Sequence, residues 1–471
     1  MKQLTLLFTL CLVLLASCRQ AEVPTQYTDS SQLPKMYPDY VDVTIPINIA
    51  PLSMELCQQA QDVVVRYAAG SEEIVCGGKK AMPAIDDWKT LASKAAGGDI
   101  TVEVFAKNDD KWTRFKPFAI HVSKDSIDPY ISYRLIAPSY VTYEELTINQ
   151  RCLENYDESV IYNNMLLSIE TEGQCINCHN YQAYNPNRMQ FHARQNHGGT
   201  VVAYDGKVKK VNMKNDSILS AGVYPAWHPW LKLIAYSTNK TMQSFHTRDI
   251  NKIEVLDSQS DLIIYDVDKN EVTNIENDST EFECYPAWSP DGKWLYYVSA
   301  HFEFRDTIPH ETECVKRSKE IKYSIYRKSF NPETMQFGPR EMVFDAASLG
   351  KSATLPRISP DGKYLLFSMG EWGCFHIWHR DADLYMLRLA DNKVWPLTKT
   401  NSPQAESFHN FSSNGKWIIF SSRRNDGDYT RLFFAHVDAD GNTTKAFELP
   451  QQDPDYHRMF MKSYNIPEFM R

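Results

Sequence analysis

The chain has 471 residues, 59 acidic and 50 basic side chains, and a formal net charge of −9. This is too long for one small domain, and 43% apolar with 23% charged residues gives enough hydrophobic surface for packed cores and argues against wholesale disorder. An acidic chain without a long Lys/Arg block sets nucleic acid aside as a partner, because counterion release needs clustered cations.

Lys2 precedes an apolar run from Leu4 to Leu15, too short for a lasting membrane span but suited to the centre of an export signal. The run ends in Leu15-Ala16-Ser17-Cys18, which resembles the lipobox of bacterial lipoproteins. The resemblance implies that residues 1–17 are a signal peptide and that Cys18 becomes the diacylated first residue of the mature chain. It also implies an extracytoplasmic protein held on a membrane by its lipid. With Arg19 rather than Asp after Cys18, the outer membrane is the expected address, on its periplasmic or surface side. Residues 18–40, carrying Pro24, Pro34 and Pro38 among polar neighbours, read as a tether.

From 41 to 125 the text alternates as strands do: VTIPINIA, DVVVRYAA, EEIVCGG, DITVEVFAK and FKPFAIHV. DDWKTLASKAA reads as a short helix started by Asp86 or Asp87. A small β-sandwich is the simplest account. In an oxidising compartment Cys57 and Cys76 are available to pair, as are Cys284 with Cys314 and Cys152 with Cys374.

The remainder repeats itself. YPAWHPWLKLIAYSTN from Tyr224, YPAWSPDGKWLYYVSA from Tyr285, LPRISPDGKYLLFSMG from Leu355 and FHNFSSNGKWIIFSSR from Phe408 are versions of one strand–turn–strand line. A second strand pair follows each of them, as in DLYMLRLADNKVWPLT. Pro fixes entry to the turn, and Gly takes a conformation closed to other residues. Four antiparallel strands repeated in this way predict propeller blades, because one blade cannot bury both of its faces alone. The lines resemble the blades of TolB-like β-propellers. The expected fold is therefore mainly β, an N-terminal β-sandwich followed by a TolB-like propeller of five or six blades over 126–460. Insertions between second and third strands, at 238–260, 301–320 and 369–382, should decorate one face, which is the expected functional face.

The first blade is expected to pair YISYRLIAP and ELTINQRCL with strands at 200–213, interrupted by 154–199. That interruption contains Cys175-Ile176-Asn177-Cys178-His179. Cys-x-x-Cys-His is the attachment pattern of c-type cytochromes: two thiols bond one porphyrin and the next His ligates iron. The expected cofactor is one covalent haem c on Cys175 and Cys178, with His179 on the metal and Met189 or His192 as sixth ligand. His197, His246, His376 and His379 are further candidates. A Cys175–Cys178 disulfide, a zinc site and a redox dithiol compete, although no second Cys-x-x-Cys completes a four-sulfur zinc site.

No Gly-x-Ser-x-Gly elbow, phosphate-binding Gly-rich loop or His-Glu-x-x-His helix is present, so no catalytic residue is expected. Two functions remain. The first is a lipid-anchored c-type cytochrome that transfers electrons while its propeller docks a redox partner. The second is a TolB-like interaction or scaffold lipoprotein in which haem is absent or structural. A small redox enzyme with an open iron position is a weaker third.

Overall fold

The computed structural model describes residues 21–137, 145–166, 174–195, 197–305 and 308–471. The expected signal peptide and Cys18 lie outside the described residues. The chain is mainly β and divides into two compact units: residues up to Lys124 with Pro450–Met459, and Asp125–Leu449 with Phe460–Arg471.

The first unit is built on strand Asp62–Ala69, paired with Glu72–Gly77 on one side and Asp99–Asn108 on the other. Lys111–Arg114 and Phe118–Val122 extend the sheet, and Thr28–Asp29 and Thr44–Ile45 join its edge in parallel. A three-stranded sheet of Met36–Tyr37, Met54–Leu56 and Lys80–Ala81 accompanies it. Helix Ile85–Lys94 buries Trp88, Leu91 and Ala92, and Trp88 meets Tyr67 edge to face at 5.8 Å. The helix starts after Ala84, not at an Asp cap. Asp86 and Asp87 fall in its first turn, where the helix dipole favours negative charge.

Two expected boundaries shift. Residues 28–45 contribute strands and the fully buried Tyr40, so the segment read as tether is largely structured. The propeller range 126–460 loses 450–459, which returns to the first unit: Lys80 pairs with Asp453 at 2.7 Å and Arg458 with Glu55 at 3.2 Å.

The second unit consists of six antiparallel four-stranded blades, a propeller-like arrangement. The innermost strands, in chain order of the blades, are Ser463–Met470, Ile176–Tyr181, Val223–Trp227, Glu281–Trp288, Ser352–Ile358 and Glu406–Phe411. The C-terminal strand Ser463–Met470 thus supplies the inner edge of the first blade, pairing with Tyr130–Ile136. Thr147–Cys152 and Glu158–Asn163 complete that blade. Apolar clusters lie between consecutive blades. Ile136, Leu146 and Ile148 meet Met189 and Phe191 between the first and second, and Leu366 and Met386 meet Phe411 and Phe420 between the fifth and sixth.

The turns between first and second strands behave as their sequence predicts. In the fourth blade Ser289 Oγ donates to Asp291 and accepts the Trp294 amide at 3.0 Å, while Gly292 takes φ 58°. Ser359 and Asp361 repeat the device in the fifth blade.

The segment 154–199 is not an insertion. Glu158–Asn163 is the outer strand of the first blade, and Ile176–Tyr181 with Arg188–Ala193 opens the second, continued by Gly199–Tyr204 and Lys207–Val211. The sequence reading missed this because neither the C-terminal strand nor CINCHNY is followed by the SPDGK-like turn of the other lines. All eight described cysteines are free thiols. Cys57 lies beside Arg458 instead of Cys76, and Cys284 faces Ser237 and Asn239 instead of Cys314.

Candidate functional site

Each inner strand contains one residue in the left-handed region: Ile466, Cys178, Tyr224, Tyr285, Leu355 and Phe408, with φ of 53°, 57°, 50°, 52°, 57° and 47°. At each of them the pairing register with the second strand slips. These are β-bulges, and bulky residues in this conformation are strained by roughly 1–3 kcal/mol each. Together the six line a narrow cavity of about 30 Å³ on the channel axis.

Beyond the bulges, toward the turns between first and second strands, the channel widens into a funnel of about 390 Å³. Two residues after each bulge comes the wall residue: Glu468, Asn180, Ala226, Ala287, Arg357 and Asn410. The two alanines leave space, and the other four form a polar arc. Glu468, 5% exposed, accepts from Asn180 Nδ2 at 3.0 Å and from Asn410 Nδ2. Burial pushes its carboxyl above the usual range, and Arg357 and the two amides oppose this. The Arg357 guanidinium stands 3.7 Å from Glu468, and its buried Nε has no acceptor. Trp227, Trp288, Tyr181, Tyr184 and Phe469 give the funnel aromatic walls, and Arg471 stands at its margin.

The opposite end is closed by the insertions expected to be the functional face. Residues 371–382 reach across the channel. Phe375 meets Phe408 of the sixth blade at 5.9 Å, the Gly373 amide donates to the Ile321 carbonyl of the fourth, and His379 Nε2 meets Glu254 of the third at 2.8 Å. His376, fully buried, lies 3.1 Å from Thr354 Oγ1 and 3.2 Å from Ser368 Oγ; burial, then His379, holds its pKa down to about 3. Residues 371–382 therefore plug the channel at this end, where a smaller concavity of about 140 Å³ lies beside Lys252, Arg380 and Asp428, and the wider funnel opens at the other face. Glu254→Ala is expected to cost about 3 kcal/mol by stranding His379 in the interior. A urea midpoint lowered accordingly, with unchanged slope, is the result to look for.

The residues of the Cys-x-x-Cys-His string do not converge. Cys175 packs in the apolar cluster between the first two blades with Ile148, Met189, Phe191 and Met470, whereas Cys178 lines the channel. Cys175, Cys178 and His179 are 7%, 2% and 1% exposed. Met189 packs beside Cys175, and His192 Nδ1 lies 3.2 Å from Thr200 Oγ1. His246 lies on the long ribbon of the third blade, and His376 and His379 in the plug. Among the described residues no group of three or more His, Cys, Asp or Glu is placed to hold a metal ion.

A c-type porphyrin needs both thiols at the rim of one pocket, and ligands of that size occupy hundreds of Å³. The space beside Cys178 and His179 is about 30 Å³, so this arrangement does not fit the group.

The funnel residues missing from the sequence reading are Asn180, Arg357, Asn410 and Glu468. Arg357 and Asn410 were discoverable: in the aligned repeat lines they stand where Tyr-Pro-Ala-Trp has Ala. Asn180 and Glu468 sit in the two inner strands that the repeat did not reveal.

The chain matches no protein-family model and no curated protein. Among solved structures it is similar to a prolyl endopeptidase from a study of two such enzymes (11% identity, TM-score 0.36, 68% of this chain and 42% of that one). It is also similar to the Niastella koreensis GH74 enzyme (10%, TM-score 0.38, 68% and 46%) and to prolyl oligopeptidase B from Galerina marginata (10%, TM-score 0.36, 83% and 53%). The chain spans about half the length of these structures.

Proposed function

We propose that this chain is a lipid-anchored, extracytoplasmic binding protein, a TolB-like propeller whose central funnel receives a carboxylate-bearing peptide segment of a partner protein. The observation that carries the reading is the unequal use of charge in the funnel. Its carboxylate, Glu468, is already held by Asn180 and Asn410, while the partly exposed guanidinium of Arg357 stands 3.7 Å from it, beyond hydrogen-bond distance. A guanidinium with donors to spare on an aromatic-walled surface favours a planar carboxylate. The lipobox-like Leu15-Ala16-Ser17-Cys18 supports the membrane tether. The buried and separated positions of Cys175 and Cys178 favour this reading over electron transfer through haem.

Trp227 and Trp288 line the funnel and report on it. Saturable change of their fluorescence is expected with N-acetylated tripeptides ending in a free carboxylate, and a much weaker response with the C-terminally amidated forms. Arg357→Ala should weaken binding by about tenfold or more, the scale of a lost charge-assisted hydrogen bond. Equal response to free and amidated peptides, or none to either, would count against the proposal.

A further inference from the structure

The six bulges also bear on the meaning of the Cys-x-x-Cys-His string. The residue that follows the left-handed position is Pro in four blades, Pro467, Pro225, Pro286 and Pro356, and His in the other two, His179 and His409. Cys178-His179-Asn180-Tyr181 is therefore the same structural element as Phe408-His409-Asn410-Phe411 and Tyr224-Pro225-Ala226-Trp227.

The two histidines face equivalent groups. His409 Nε2 lies 2.7 Å from the carbonyl of Leu355, the bulge residue of the preceding blade, and 3.2 Å from that of Leu366 on its second strand. The ring of His179 lies toward the carbonyls of Ile466 and Ser132, but among the described residues neither of its buried nitrogens makes a hydrogen bond. Ile466 is the bulge residue of the blade preceding His179, and Ser132 lies on that blade's second strand. The registers agree: Leu366 pairs with Arg357, and Ser132 with Glu468, each two residues past its bulge. His409 has Ala405 and Phe408 where His179 has Cys175 and Cys178; these two cysteines are what make the second blade spell an attachment motif.

We infer that His179 holds the inter-blade position that His409 holds in its own blade, and that Cys178 is the channel-lining bulge residue of its blade. The His of the string then follows from the blade repeat, and the mature protein carries no covalent porphyrin on Cys175 and Cys178. At His409 the ring bridges two blades through backbone carbonyls, a contact that proline lacks.

The test has two independent arms. The full chain, exported in cells whose haem-attachment machinery is shown to work on a control cytochrome, should have the intact mass of the polypeptide and its lipid alone, with no pyridine haemochrome band. A mass increment of one haem overturns the inference. In the second arm, His179→Ala and His409→Ala should raise the unfolding constant by similar factors, about tenfold each. His179→Pro should still fold cooperatively and raise the constant by a smaller factor than His179→Ala, since four blades accept proline there. Failure of His179→Pro to fold while His409→Pro folds would refute the equivalence. Neither arm depends on the funnel's ligand, so loss of the peptide-binding reading leaves this inference standing, and the reverse.

Discussion

Acidification below pH 6.5 is expected to unfold the propeller within about two pH units. Five histidines are buried neutral. Burial drives the pKa of His179, His376 and His409 to about 3 and that of His192 and His228 to about 4, and Arg134, His379, Arg357 and Arg194 reinforce the drop at His179, His376, His409 and His192 respectively. Once unfolded, each ring protonates near its ordinary value of 6.5, so the unfolded state binds more protons and gains as pH falls through the window from 6.5 to about 3–4.

Buried carboxyls act in the opposite sense. Glu283 is raised to about 8 by burial and then Asp261, and Asp257 and Asp383 to about 6, by burial in each case. Their stabilisation is complete at low pH and is lost as pH rises through those values. Burial raises Asp128, Asp261, Glu406 and Glu468 as well, by less, so the net loss comes from the larger shifts of the five histidines, each worth up to about 1.4 kcal/mol per pH unit. Against a total stability of about 5–15 kcal/mol, near-UV circular dichroism should collapse by about pH 5. A signal unchanged at pH 4 would mean that these rings reach solvent or a counter-charge.

A chain ending at Lys462 is expected not to form the propeller at all. It lacks the strand Ser463–Met470, which pairs along Tyr130–Ile136 and buries Tyr464, Phe469 and Met470 to 1% exposure each. Three such side chains contribute roughly 1.5–3 kcal/mol apiece, a large share of the stability of a single domain, and the inner edge of the first blade is left unpaired. The truncated protein should lose the trypsin-resistant core of the full chain. An identical digestion pattern would show that the ring closes without this strand.

The legible part of the fold was the part written in repeated turn chemistry. Four SPDGK-like lines announced four blades because Pro and Gly at fixed offsets restrict the backbone whatever the surroundings. The other two blades were hidden for a physical reason: their inner strands, CINCHNY and SYNIPEFM, are not followed by the SPDGK-like turn, and the one position they share with the other lines, the His or Pro after the bulge, is too little to align. The same limit explains the site. Local spelling reads His179 as an iron ligand, whereas its place beside the bulge of the preceding blade, matching that of His409, is visible only in the folded ring. Insertion length marked one end of the channel, and it could not show that residues 371–382 fold inward across the axis, since long loops can form a plug as well as a binding surface.

The excursion of Pro450–Met459 into the first unit, just before the last strand returns to the first blade, has a consequence for biogenesis. Neither unit is complete until residues 450–471 have been made, so during synthesis both must wait, partly assembled, for one short stretch of polypeptide. A cut near residue 449 would then damage two folding units at once, and a protease or chaperone acting on the emerging tail would control the maturation of the entire molecule.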